Sequence, residues 1–268
     1  MSAVSQALIE FANHWRPRAE PGTEVIDTPR YVITLQPDFR IPGPNSVAFV
    51  RCRPAETDEI IHAARAIFHA RRLPMMWMID PETEPPDFAD HLARHDVHPD
   101  PRGSEFAVMV LPIDAAIHAP AIAGLEIRDA LADLATFRSA NAVAAEAFGA
   151  DTPGEAPEVI AMHERRRLNL RAAGHRYLLL ATIDGEPAGM AGIGVFPPAG
   201  AAINGGSVRT KFRGRGVYRA LLAARLQIAR DSGVDGLSVW GGDMSGPILA
   251  KLGFEKVGWR RFLLDTSS

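Results

Sequence analysis

Val208-Arg-Thr-Lys-Phe-Arg213-Gly-Arg-Gly216-Val-Tyr218 is the stretch on which the fold turns. Ahead of it, Ala202–Thr210 reads as a strand, and behind it Arg219-Ala-Leu-Leu opens an apolar helix that runs through Arg230. At a strand-to-helix junction the first amides of the helix have no acceptor within it, and the macrodipole is positive there, so an anion is favoured. Gly214 and Gly216 let the main chain approach a phosphate closely, while Arg213 and Arg215 add charge-assisted donors suited to a pyrophosphate. Two ligands fit poorly. No Lys-Ser/Thr follows the glycines, as a Walker A loop requires, and both the third glycine and the acid about 20 residues on that mark a dinucleotide fold are missing. Taken alone, Arg213–Gly216 also admits the reading of a solvated basic turn.

The landmarks downstream narrow the choice. Leu237-Ser-Val-Trp240 is a short strand, and Ser245-Gly-Pro-Ile-Leu-Ala-Lys-Leu-Gly-Phe254 is a helix ending in Leu-Gly-Phe. In this order and spacing, residues 124–265 resemble the GNAT N-acetyltransferases, which use acetyl-coenzyme A. The resemblance implies an α+β fold, a mixed and mostly antiparallel sheet flanked by helices. It also implies that the backbone of Val208, Arg209 and Thr210 pairs with the pantetheine arm. Arg213, Gly214, Arg215, Gly216, Val217 and Tyr218 would hold the pyrophosphate, and strands splayed around Thr210 and Leu237 would admit thioester and amine from opposite sides.

Two residues depart from the family pattern. Tyr218 stands where the motif has Gly or Ala, and its ring is expected to turn outward. Leu249 stands where many members carry a tyrosine that protonates the departing thiolate. Ser245 is then a weak donor or water carrier, or simply an N-cap. Glu146 and Asp243 are candidate bases or amine anchors, or solvated acids. The implied activity is acetyl transfer from acetyl-CoA to an amine of a small molecule or peptide, with no metal. A non-catalytic regulatory protein that binds coenzyme A or acyl-CoA is the competing reading, favoured by Leu249, and an acyl group other than acetyl is open.

The first half echoes this element order without its loop. A helix over residues 2–15 precedes a meander (Glu24–Ile26, Tyr31–Leu35, Ser46–Val50), a helix from Pro54, strand Leu73–Ile79, a helix near Asp87–Arg94 and strand Glu105–Leu111. Arg51-Cys-Arg-Pro-Ala-Glu-Thr57, with no glycine, occupies the loop position. Residues 1–121 therefore read as a degenerate GNAT-like domain and 122–268 as the acetyltransferase domain, two tandem units. Met75–Met78 reads as buried strand. His91, His95 and His98 with Asp87 and Asp90 lack a compact third ligand for zinc on one helix. In the second half, helices Leu131–Glu146 and Pro157–Ala173 flank a Gly/Pro/Asp loop at Gly149–Glu155, Asp184-Gly185 marks a hairpin, and Arg165–Arg167 reads as the wet face of a helix burying Val159, Ile160 and Met162.

Composition supplies exclusions. The 268 residues are 47% hydrophobic, with 29 Lys+Arg against 32 Asp+Glu and a net charge of −3, too balanced for a field that gathers nucleic acid or anionic membrane. Cys52 is the single cysteine, so no internal disulfide forms. No apolar stretch reaches the ~18 residues a membrane span needs, and the N-terminus lacks a leader pattern. A soluble cytoplasmic protein is expected; the oligomeric state, homodimer included, is open.

Overall fold

The structure, a computed structural model, describes residues 3–101, 103–150 and 154–266. Part of the loop expected at Gly149–Glu155, residues 151–153, lies outside them. The first half runs α1 (Gln6–His14), β1 (Glu24–Asp27), β2 (Val32–Leu35), β3 (Ser46–Ala48), α2 (Thr57–Arg71), β4 (Met75–Ile79), α3 (Phe88–Arg94), β5 (Val97–Pro99) and β6 (Glu105–Pro112). The second runs β7 (Leu125–Asp129), α4 (Leu134–Phe148), α5 (Pro157–Ala173), β8 (Arg176–Ile183), β9 (Glu186–Phe196), β10 (Gly200–Val208), α6 (Val217–Asp231), β11 (Gly236–Gly241), α7 (Gly246–Lys251) and β12 (Glu255–Asp265).

The chain packs as two compact units that exchange their ends, rather than as two contiguous halves divided near residue 121. One comprises Trp15–Val108, Trp240–Lys251 and Lys256–Ser268, the other Met1–His14, Met109–Val239 and Leu252–Glu255. In the first, β1, β2 and β3 form an antiparallel meander, and α2 carries the chain over to β4, parallel to β3 at Ser46↔Met76 and Val47↔Trp77. Strand β12 then pairs antiparallel with β4. Its last residue explains why it stays: the Asp265 carboxylate accepts hydrogen bonds from Arg65 Nε (2.9 Å) and Trp77 Nε1 (3.2 Å). A buried carboxylate is tolerated when it is paired and hydrogen-bonded in this way. The core around it contains Ile60, Ile61, Phe68, Trp77, Phe88 and Leu92, with Met75 buried as expected.

The second unit repeats the plan. Strands β7 to β10 are antiparallel in sequence order, and α6 carries the chain to β11, parallel to β10 at Ala201↔Leu237 and Ala202↔Ser238. The β8–β9 hairpin turns on Asp184 (φ 51) and Gly185 (φ 79), the double positive φ of a type I′ turn that matches strand twist. Apolar Val217 and Leu221 of α6 pack on Leu179, Ala181 and Ala188 of the sheet. A Cβ at Gly189 would lie 2.9 Å from Val217 Cγ1 and 3.0 Å from Leu221 Cδ1, so the bare strand backbone sets how closely α6 approaches.

Two expectations need correcting. Helix α4 starts at Leu134, because Asp133 caps it by accepting from Thr136 N (2.8 Å). The three apolar residues expected to be buried on α5 are not its buried side; that side is His163 and Arg167. Arg167 is not on a wet face: it donates to Leu131 O (2.8 Å) and pairs with Glu164 (2.7 Å). A guanidinium fork satisfies carbonyls at the entry to α4 that an apolar side chain would leave bare.

Gly236 is the tightest joint between α1, β6 and β11. Its Cβ would lie 2.3 Å from Leu111 O and 2.6 Å from Leu8 Cδ2. Gly236→Ala is expected to lower stability by about 1–3 kcal/mol, the usual cost of overpacking, read as a lower denaturant midpoint. Gly154→Ala, with nothing within 4 Å, should leave the midpoint unchanged.

Candidate active site

After β10 the chain makes a single 3-10 turn (Thr210–Phe212), extends through Arg213 and reaches α6 across Gly214 (φ 77) and Gly216 (φ 90). Both glycines are in the left-handed region that L side chains resist. The space beside Gly214 is open to 4 Å, whereas a Cβ at Gly216 would lie 2.3 Å from Pro120 Cγ. The first helical bond is Ala220 N to Gly216 O (3.0 Å). Among the described residues, the amides from Gly214 to Arg219 donate to no carbonyl or side chain. Gly216 provides no side-chain cap. Arg213, Arg215 and Arg219 form no ion pair among the described residues; the Arg215 guanidinium lies 5.5 Å over the Phe212 ring. A row of open amides at a positive helix end, with arginines beside it in the sequence, is a candidate anion site.

Strand β10 carries the approach to it. Pairing with β11 covers only Ala201 and Ala202, so the strand's outer edge is without a β11 partner from Ile203 on. On the other edge, the register against β9 slips between Asn204 and Ser207, where Gly205 (φ 59) sits in a bulge. Bulges re-aim main-chain groups beside functional sites.

The expected site residues fall as follows. Val208 O accepts from Arg213 Nε (3.4 Å). Arg209 donates its amide to Ala188 O (2.9 Å), and its carbonyl accepts from Phe212 N (2.9 Å), so its main chain is already paired. Thr210 O accepts from Arg213 N (3.2 Å). The Tyr218 ring does not turn outward: a Cβ at Gly206 would lie 3.1 Å from Tyr218 Cε2, so the ring lies over the bulge. Glu146 closes α4 with its Oε2 2.8 Å from Arg209 Nε, an ion pair by distance although the N–H is not aimed along it. Asp243 is exposed at the rim of a cavity of about 600 Å³ lined by Phe106, Gly241, Lys256 and Trp259. Ser245 caps no helical amide; its Oγ accepts from Gly242 N (3.1 Å), fastening the turn ahead of α7. Leu249 is fully buried, so the proton donor many relatives carry there has no counterpart. His95 Nε2 contacts Asp58 (2.9 Å) and His91 Nδ1 contacts Thr57 Oγ1 (3.1 Å).

The equivalent junction of the first unit is filled by the chain itself. Ahead of α2 the Glu56 carboxylate accepts from Arg53 N (2.9 Å) and from Arg53 Nη2 (2.8 Å). These Arg53 contacts hold the Glu56 carboxyl at about 2, well below the usual carboxylate range. Beyond β3, Glu84 donates its amide to Val50 O (3.0 Å) and accepts from Cys52 N (3.1 Å), so the strand edge that is open in the second unit is occupied here. The Arg53-x-x-Glu56 spacing was a legible signal for the first closure; Glu84, brought in by a turn after β4, had none. A charged residue at the inward helical spacing of Leu221, Leu222 and Leu226 also marked Arg225, which sequence reasoning passed over.

Residues 142–254 match the model of the acetyltransferase (GNAT) family. No curated protein matches the sequence. A GCN5-related N-acetyltransferase from Kribbella flavida superposes with a TM-score of 0.65 at 19% identity, over 92% of this chain and 91% of that one. A functionally unknown conserved protein from Staphylococcus epidermidis gives 0.69 at 12% identity over 97% and 99%. A tandem GNAT protein from the clavulanic acid biosynthesis pathway gives 0.60 at 18% identity over 92% and 84%. The fold of nearly the whole chain is thus that of tandem GNAT proteins, and the GNAT family match lies in its second half.

The filled junction gives a pH signature. Because Glu56's folded pKa is depressed, its stabilisation is complete above the ordinary carboxylate pKa of 4.5 and is lost as pH falls toward about 2. Melting curves of wild type and Glu56→Gln are expected to differ at neutral pH and to converge as pH falls through that window.

Proposed function

From a chain whose second half holds a GNAT domain, we propose an enzyme that transfers the acetyl group of acetyl-CoA to an amine of a small molecule or peptide. The observation that carries this reading is the run of open amides from Gly214 to Arg219, with Arg213, Arg215 and Arg219 in no ion pair among the described residues. Its chemistry fits a pyrophosphate: donors converge at a helix N-terminus, Gly214 leaves room for close approach, and the cations need no proton to be gained. Acetyl-CoA, when bound, supplies an activated thioester. The chain's own part is to hold, orient and polarise.

Loop amides anchor the diphosphate. The β10 edge beyond Ala202 offers main-chain groups to the amides of an extended arm, and the bulge at Gly205 re-aims an N–H that can polarise a carbonyl. Orientation of a neutral amine against a thioester supplies much of the acceleration, so few side chains are required. Asp243, exposed and in no ion pair among the described residues, is the group to test as amine anchor or base. Glu146 is held by Arg209 and acts on the end of β10 through that pair. A cytoplasmic setting without metal, nucleic acid or membrane completes the reading, supported by the balanced charge and single cysteine. No helix of the described residues is long and apolar enough to cross a membrane.

Reversing the loop's charge tests the anchor. Arg213→Glu/Arg215→Glu is expected to weaken acetyl-CoA binding by at least about tenfold in calorimetry, since charge-assisted hydrogen bonds contribute roughly 1.5–3 kcal/mol each. An unchanged Kd would sink the coenzyme assignment. Thiol release with a panel of primary amines and amino-terminal peptides then reads turnover. Tight binding with no thiol released from any of them would move the chain to the regulatory reading, and Asp243→Asn should lower kcat/KM for the accepted amine by about 10²-fold or more, within the range for general base catalysis.

A further inference from the structure

Arg225 is a fully buried cation with little to do. It lies on the inner face of α6 with 1% of its surface exposed, among the largest wholly buried side chains of the protein. Its Nε donates to Leu221 O (3.3 Å), while Nη2 has no hydrogen-bond partner. Among the described residues no carboxylate neutralises it. Burial pulls its pKa down from the arginine range, and the one ionisable side chain acting against that is Tyr218, which hydrogen-bonds the guanidinium and whose ring centroid lies 5.9 Å from its carbon. Burying an unpaired charge costs several kcal/mol even after relaxation. The neighbouring inward positions Leu221, Leu222 and Leu226 show that α6 packs well with apolar residues on this face.

The guanidinium points at the bulge of β10. A Cβ at Gly206 would lie 3.4 Å from Arg225 Nη2 and 3.5 Å from Nη1, so it is the absent side chain of Gly206 that makes room for the charge directly behind that peptide. On the same strand Ser207 Oγ is buried and without a partner. The field of a desolvated cation is little screened, so it acts across a few ångströms of low-dielectric protein.

We propose that Arg225 is a positioning residue whose buried charge, set behind the Gly205–Gly206 bulge, stabilises negative charge forming on a thioester held along β10, and so supplies electrostatically what Leu249 cannot supply as a proton donor. This rests on the coenzyme reading above. Amine attack on the thioester carbon puts negative charge on the carbonyl oxygen; collapse breaks the carbon–sulfur bond, expels coenzyme A thiolate and leaves the amide, while the amine proton passes to the base. Both anionic species gain from a fixed cation that the reaction does not consume. The Tyr218 ring, lying over Gly206 between α6 and the strand, keeps water from the guanidinium.

The test needs no acceptor amine. The pKa of the coenzyme A thiol bound to the protein is read from thiolate ultraviolet absorbance, with desulfo-coenzyme A for the affinity of the remainder and thermal melting for the fold. In Arg225→Met the bound thiol pKa is expected to rise by about one unit, a tenfold loss of thiolate. Desulfo-coenzyme A should bind within about threefold of wild type, and the melting temperature should hold or rise, because an unpaired buried charge is gone. Arg225→Lys, which keeps the charge, should retain most of the lowered pKa; Arg225→Gln, neutral but polar, should behave like Met and serves if Met does not fold. An unmoved thiol pKa in a folded neutral variant overturns the proposal and leaves the coenzyme reading intact. A lower melting temperature with an unmoved pKa assigns Arg225 a purely structural role. Failure of wild type to bind either coenzyme form overturns the coenzyme reading and this proposal together.

Discussion

A helix cannot satisfy its own first amides, and what this chain does with that constraint at two places separates its two units. Both units bring an antiparallel strand to a junction, cross through a helix and return on a parallel strand joined by two residue pairs. Ahead of α2 a carboxylate of the chain, Glu56, supplies the negative charge. Ahead of α6 no carboxylate of the described residues does, and two left-handed glycines precede the open amides. The electrostatics of the two junctions are opposite: a carboxylate of the chain stands ahead of α2, and arginines stand ahead of α6.

The strand edges follow the same division. A parallel pair that ends after two residues leaves main-chain groups without partners, and buried ones must find some. In the first unit Glu84 takes them. In the second, β10 has no β11 partner from Ile203 on, and its register against β9 bulges at Gly205. Gly189 and Gly206 serve this arrangement differently: one brings α6 onto β9, the other gives space to Tyr218 and Arg225. Two residues that depart from the surrounding pattern, a tyrosine at the helix start and an arginine at an inward position, are thus one packed feature of α6 and β10.

Much of this was legible from the residues. Alternation and helical spacing placed nearly every element, Asp184-Gly185 announced its turn, and the Arg213–Tyr218 loop with Leu252-Gly253-Phe254 located the GNAT domain. These signals are local, set by backbone preferences over a few neighbours. Misreadings came where the deciding partner is distant in sequence. Arg167 looks solvated until the carbonyls at Leu131 and Ala132 reach it. Tyr218 looks free to turn outward until Gly206, twelve residues earlier by number, leaves a place for its ring.

The sequence by itself determined a glycine-bearing strand-to-helix junction, an α+β fold and a first half lacking the glycine loop, because glycine conformation, periodicity and residue type are properties of short stretches. Only the tertiary structure decided which units those stretches build. Strand β12 belongs with β4 because Asp265 finds Arg65 and Trp77 there, and α1 belongs with β10 because a bare Gly200 admits the Phe11 ring. A buried charge and a void are filled by whatever folding brings near, and no local pattern carries that information.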